Sequence, residues 1–255
     1  MNIVITGGTS GLGLGLKEFY EKAGHNVFVL ARTASGENGI ICDVSSFESI
    51  ETAFETLKTK CAKIDMLINN AGVALSGASE LLPREEIDKI VDINLKGLIF
   101  CTQKALAFMS EGAKIVNISS PCGDFPLAYR TMYCVTKSAV SMFSYCLRLE
   151  LQNAGIQVTA ICPGNIFTNL SKNRIKIQAT NEKYGDEIQK ATDKINKEAH
   201  KRMPLEYVVK VITKKLAKKK LAARYVIGKK YKFLYLVQKL VPQRALFWGV
   251  SKFCK

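Results

Sequence analysis

Histidine is almost missing: the 255 residues hold two, His25 and His200, with one tryptophan and six prolines. Zinc centres and nucleophilic triads lean on imidazole, so both chemistries are disfavoured. The eight cysteines form no C-x-x-C pair and mostly sit in apolar runs such as IVNISSPC and VTAIC, which reads as small buried hydrophobes in a reducing compartment. No apolar run approaches the ~20 residues needed to cross a bilayer. The chain opens on the strand-like MNIVIT without a charged and apolar leader, so the expectation is a cytoplasmic protein or one lying on a membrane face.

Acids are scarce in one place only. Residues 1 to 200 carry 21 basic and 21 acidic side chains, whereas residues 201 to 255 carry 16 basic ones against Glu206 alone. The whole net charge of +15 therefore lies in the last fifth, which suits a polyanionic surface, anionic lipid or nucleic acid, or else a solvated basic helix. With 47% hydrophobic and 23% charged residues, the chain has the composition of a packed protein, with one large domain as the default.

Short apolar runs alternate with stretches of helical period. Asn2 to Thr6, Asn26 to Ala31, Gly39 to Cys42, Asp65 to Asn69, Ala113 to Ser119 and Ile156 to Cys162 suit strands buried on both faces of a parallel sheet. Leu12 to Ala23, Phe47 to Cys61, Pro83 to Met109 and Thr131 to Asn153 have helical spacing. Ser45-x-x-Glu48 reads as a capping box, and Pro83 fits a first helical turn. Strand alternating with helix predicts a single-domain, doubly wound (Rossmann-like) α/β fold with helices on both faces of a parallel sheet. Right-handed crossovers then align the loops after the strands along one edge, where ligands of such sheets bind.

The loop after the first strand, Thr6-Gly7-Gly8-Thr9-Ser10-Gly11-Leu12-Gly13, is a glycine-rich turn entering a helix. Glycine lets backbone approach a pyrophosphate, which helix N-terminal amides stabilise. It is not G-x-G-x-x-G, since Leu16 stands where the third glycine should be, and no Lys-Ser/Thr follows for a P-loop.

With these residues in place, the chain resembles the short-chain dehydrogenase/reductase family over residues 1 to about 170. The T-G-x-x-x-G-x-G cofactor turn of that family matches Thr6 to Gly13. Its N-N-A-G segment matches Asn69, Asn70, Ala71 and Gly72, and its adenine-contacting Asp matches Asp43 beside Val44. The catalytic Asn corresponds to Asn94, the Ser at the fifth strand end to Ser120, and Y-x-x-x-K to Tyr133 and Lys137. Its P-G-x-x-x-T, which holds the carboxamide, matches Pro163, Gly164 and Thr168 with Ile166 between. The resemblance implies contacts to the dinucleotide from Gly7, Thr9, Ser10, Gly11, Leu12 and Gly13, with Lys137 on the nicotinamide ribose. It also implies that Asn94 holds a water relaying protons to Lys137, and that the helices carrying Asn94 and Tyr133 form a homodimer face.

The chemistry of the pair stands without the name. Tyr133 and Lys137 are four apart and share one helix face. A phenol of pKa about 10 is a poor base at neutrality, and a neighbouring ammonium is expected to lower it. Tyr133 can then exchange a proton with a substrate oxygen that Ser120 orients, while the cofactor exchanges a hydride. At the end of the second strand Ala31 replaces the acid that would accept the ribose hydroxyls of NAD. Arg32 follows it, with Thr9, Ser10 and Thr33 as hydroxyl donors, so NADP(H) is the expected cofactor.

Substrate is less legible. Pro121 to Met132 should line one pocket wall, and residues 169 to 203 form a helical, mobile lid in which Ile175, Ile177, Ile188 and Ile195 could turn inward. The domain is expected to run over residues 1 to 228, ending in the strand Arg224 to Gly228. A basic, aromatic tail follows over 229 to 255, including Lys229, Lys230, Tyr231, Lys232, Phe233 and the sole Trp248. Interleaved lysines and aromatics suit the headgroup layer and resemble tails of membrane-associated members acting on steroids, retinoids or long-chain ketones. Packing on its own domain, docking to a second subunit and single-stranded nucleic acid remain alternatives, though no nucleic-acid module accompanies the tail. The expected activity is interconversion of a ketone or aldehyde with an alcohol on a lipophilic small molecule. Its competitors are a ketoacyl-carrier-protein reductase and a non-catalytic dinucleotide-sensing module.

Overall fold

A computed structural model describes residues 1–167, 174–197 and 202–254. In chain order these form β1 (Asn2–Thr6), α1 (Gly11–Lys22), β2 (Asn26–Ala31), β3 (Gly39–Ile41), α2 (Phe47–Lys60), β4 (Met66–Asn69), β5 (Leu75–Ser76) and α3 (Arg84–Val91). They continue as α4 (Gly97–Leu106), β6 (Lys114–Ile118), α5 (Thr131–Glu150), β7 (Gln157–Pro163), β8 (Ile175–Lys176), α6 (Glu187–Lys197), α7 (Leu205–Leu216), β9 (Arg224–Ile227), α8 (Lys229–Leu240) and α9 (Gln243–Cys254). Seven strands make one parallel sheet in the order β3-β2-β1-β4-β6-β7-β9. The expected doubly wound α/β fold is thus the one observed.

Alternation along each strand splits the core into two layers. Val4, Leu30, Leu67 and Ile115 face Phe54 and Leu57 of α2 and Cys101 and Ala105 of α4. Ile3, Ile5, Ile68 and Ile161 face Leu16 and Tyr20 of α1 and Ile212 and Leu216 of α7. Cys42, Cys61, Cys101 and Cys162 are buried free thiols, as the apolar runs around them imply.

Two local readings are corrected. The helix read from Pro83 to Met109 is two α-helices joined by a π-turn at Asp92–Lys96. Its extra residue rotates Asn94 into the interior, where it is 1% exposed. The cap of α2 is Ser46, not Ser45. Ser46 Oγ accepts the Ser49 amide at 3.1 Å, because Ser45 is captured by the Asp43 carboxylate at 2.6 Å. The two-stranded parallel sheet of β5 and β8 has no foreshadowing in the pattern, since each strand is only two residues long. Of the four lid isoleucines, Ile188 is buried, Ile175 and Ile177 are half-buried, and the side chain of Ile195 lies outside the described residues.

Candidate active site

The strand order reverses between β1 and β4, and the loops beyond their carboxyl ends border a cavity of about 580 Å³. At the glycine turn, Thr6 Oγ1 accepts the amides of Asn70 and Ala71 at 3.0 and 3.1 Å. Asn70 Nδ2 donates to the carbonyls of Thr6 and Gly7 at 3.1 and 3.0 Å. Gly7 sits at φ +68°, and a Cβ there would stand 2.9 Å from Ala71 Cα. Gly13 stands behind the turn and off the cavity wall, where a Cβ would strike Gly7 O and Asn70 Nδ2. Ser10 makes no side-chain capping bond, so the first-turn amides of Gly11 and Leu12, on the cavity wall, keep the donors an anion takes.

Arg32, Thr33, Asp43 and Val44 line the end beside β2, and Thr33 donates to Thr9 Oγ1 at 3.3 Å. Burial opposes ionisation of Asp43. Hydrogen bonds from the Ser45 hydroxyl and amide, with the charge of Arg32, outweigh it and hold the carboxyl below its ordinary range. At the opposite end lie Pro163, Gly164 and Ile166, where Met203 pairs with Ile166. Tyr231 of α8 covers Gly164 so closely that a Cβ would collide with its ring, and the Asn165 amide donates to Tyr231 Oη at 3.3 Å. Thr168, the last residue of that motif, lies outside the described residues.

Ser120, Tyr133 and Lys137 meet on the cavity wall next to Gly72. Ser120 follows β6 by two residues, and its Oγ accepts the Cys122 amide at 3.2 Å on the wall it shares with Tyr133. Lys137, 6% exposed, donates to Ile118 O at 2.9 Å and holds Nζ 5.9 Å from the Tyr133 ring centroid. Burial pulls Lys137 down to about 8. Burial, followed by the neighbouring Cys122 sulfur, raises the Tyr133 phenol, against the Ser120 hydrogen bond. The phenol is therefore raised where the ammonium was expected to lower it, because burial dominates at both groups.

Asn94 is off the cavity wall. Its Oδ1 accepts the Val73 amide at 2.8 Å, and its Nδ2 donates to Val73 O at 2.9 Å and Thr136 Oγ1 at 3.2 Å. The side-chain amide clamps the loop after β4 to α5. Sequence reading also passed over Asn117, which accepts from Asn69 at 2.9 Å and donates to Ser144 at 2.9 Å beneath the site. It read Tyr231 only as part of the tail, and it singled out none of Arg130, Arg174 and Arg202, although they lie within the wall and lid segments it did identify. The larger basic excess in the tail masked their signal.

The buried lysine makes a testable demand on stability. Its folded value near 8 lies below the unfolded value, so the unfolded chain binds more protons between pH 8 and 10.5 and stability rises with pH there. In denaturant titrations of the cofactor-free protein, wild type should gain about 1–3 kcal/mol relative to Lys137→Met between pH 7 and 10. A difference independent of pH would mean that Lys137 is solvated.

Residues 1–179 match the family of short chain dehydrogenases. The chain is 31% identical over 225 residues to the 3-ketodihydrosphingosine reductase of Bacteroides thetaiotaomicron, covering 84% of each. It is 31% identical over 206 residues to the NADP-dependent 3-hydroxy acid dehydrogenase YdfG of Salmonella typhi, covering 75% of this chain and 83% of the relative. A short-chain dehydrogenase structure from Streptomyces avermitilis shares the fold at TM-score 0.82 and 23% identity, covering 99% and 97%. The chain belongs to the short-chain dehydrogenase/reductase family, oxidoreductases that bind a nicotinamide dinucleotide.

Proposed function

We propose that this protein is an NADP(H)-dependent reductase of ketones or aldehydes, acting on lipophilic substrates. The observation carrying the reading is the convergence of Ser120, Tyr133 and Lys137 on one wall of a cavity whose other end has the glycine turn and Arg32. The unpaired amides of Gly11 and Leu12 and the close approach at Gly7 and Gly13 fit a dinucleotide pyrophosphate. Arg32 beside Thr9 and Thr33 fits a 2′-phosphate. The bound dinucleotide supplies the hydride. Tyr133, kept protonated by its burial, donates the proton to the carbonyl oxygen, and Ser120 holds that oxygen in line. Lys137 then stabilises the phenolate left behind and takes the nicotinamide ribose. Stoichiometric loss of NADPH and gain of alcohol across a carbonyl panel tests the reading. Nucleotide binding without turnover of any carbonyl would favour a sensing module.

The lipophilic part rests on the tail and on the likeness to a 3-ketodihydrosphingosine reductase. One face of α8 leans on the domain, with Tyr235 under Arg224 at 4.5 Å and Gln238 donating to Asp124 O at 3.2 Å. The other exposes Phe233, Leu236 and Leu240 at helical spacing, and α9 adds exposed Phe247 and Trp248. Lys229, Lys232, Lys239 and Arg244 accompany them, an arrangement suited to a cytoplasmic enzyme resting on anionic lipid. No helix among the described residues is long and apolar enough to cross a membrane. Replacing Phe233, Leu240 and Trp248 together by glutamate should lower partition onto anionic vesicles about tenfold or more. Unchanged partition removes the membrane reading. A homodimer is proposed on the exposed stripe Val135, Met142 and Leu149 of α5, each seven residues apart.

A further inference from the structure

Three guanidiniums gather at the catalytic end of the cavity with no carboxylate among them. Arg130 precedes α5, Arg174 precedes β8 and Arg202 lies ahead of α7, so three separate segments deliver charge to one wall. Among the described residues the only acid lining the cavity is Asp43, at the far end beside Arg32. Among the described residues no ion pair involves Arg130, Arg174 or Arg202, whereas the half-buried Arg224 is paired with Asp124. Arg130 Nε is buried without a hydrogen-bond partner. Burial, then the repulsion of Arg130, opposed by Tyr133, brings Arg174 down to about 10, so it stays charged at neutral pH.

All three are half-buried, and holding like charges together on a partly desolvated wall is costly unless an anion joins them. The Cys122 sulfur beside Arg130 offers one polarisable atom, too little for three guanidiniums. The dinucleotide phosphates do not account for the cluster either. Their donors, the α1 amides and Arg32, are at the other end, while Arg174 is coupled electrostatically to Tyr133.

Building on the reductase reading above, we propose that the substrate carries a carboxylate or phosphate a few atoms from its carbonyl, gripped by Arg130, Arg174 and Arg202 while the carbonyl oxygen meets Tyr133 and Ser120. Guanidinium forks bind both oxyanions in a fixed plane, which would set the carbonyl against the hydride donor. Joined to the lipophilic reading, this selects long-chain 3-oxo acids or ketone phosphates. It selects against a sphingoid ketone, whose ammonium would face three cations. The redox balance is that of the parent reaction: hydride to the carbonyl carbon, proton to the oxygen, alcohol and oxidised dinucleotide as products.

The test compares kcat/KM for 3-oxodecanoate against its methyl ester, and for dihydroxyacetone phosphate against dihydroxyacetone, in wild type, Arg174→Met and Arg174→Lys. Calorimetry of 3-hydroxydecanoate and of dihydroxyacetone phosphate on the NADPH-bound protein reads anion binding. The first forms a dead-end complex, and the second is followed as binding alone if no turnover occurs. Wild type should favour one anionic member of these pairs by about tenfold or more. Arg174→Met should erase most of that ratio and Arg174→Lys restore part of it, with NADPH affinity within about twofold of wild type. Which pair shows the preference distinguishes carboxylate from phosphate. Turnover with no anion preference overturns the proposal and leaves the reductase reading standing. Arg174-dependent anion binding without turnover of any carbonyl removes the reductase reading and, with it, the proposal that a carbonyl substrate is gripped there. An Arg174→Met that weakens NADPH and leaves the ratio intact assigns the arginines to the cofactor and overturns the proposal, as does an absence of both preference and anion binding.

Discussion

Tyr133→Phe should lower kcat by about 10³-fold while NADPH affinity changes by less than about threefold. The substitution removes one oxygen and keeps the ring that packs beside Lys137 and Ser120, so the cavity wall retains its shape. What disappears is the proton donor. Burial holds the phenol protonated in the resting protein, which suits a group that must give up its proton to a developing alkoxide. The ammonium of Lys137 matters after transfer, when a negative oxygen has to be tolerated inside the wall. Stopped-flow oxidation of NADPH measures the loss, and fluorescence of bound NADPH measures affinity. Equal rates in the two proteins would place the proton source elsewhere.

Arg32→Glu should shift preference from NADPH toward NADH by about 10²-fold in kcat/KM. Arg32 is exposed at the end of β2, where no ion pair among the described residues holds it, and Thr9 and Thr33 lie beside it. A guanidinium there complements the 2′-phosphate, and the replacement repels it while offering a carboxylate to the two ribose hydroxyls. Most of the change should fall in KM for NADPH, since the contact is the same in ground and transition states. A preference that stays within twofold would mean that Arg32 remains in solvent and that the adenosine end is read by other groups.

Much of this architecture is legible before any coordinates, for physical reasons. Strands buried on both faces leave continuous apolar runs, so six strands stand out, as do the helices α1, α2 and α5, and the glycine turn marks itself because Gly7 and Gly13 have backbone in their Cβ positions. Ser120, Tyr133 and Lys137 are spaced so that a strand end and one helix face bring them together. Long-range chemistry is not written that way. Arg130, Arg174 and Arg202 are far apart in the chain, and only tertiary packing makes them neighbours. Tyr231 reads as part of a lipid-facing tail until its ring is found on Gly164. The π-turn at Asn94 leaves the helical period nearly intact while redirecting one side chain. The direction of the Tyr133 shift also depends on burial of both partners, which a spacing of four residues does not reveal.

Hydride delivery is the step on which the whole assignment depends, and isotope tracing follows it directly. NADPH deuterated at the transferring C4 position is incubated with a carbonyl substrate, and the product is analysed by mass spectrometry and NMR. The account predicts one deuterium on the carbinol carbon, a hydroxyl proton drawn from solvent, and a slowed single turnover. Alcohol without deuterium on that carbon from either C4 epimer of the labelled cofactor would contradict it.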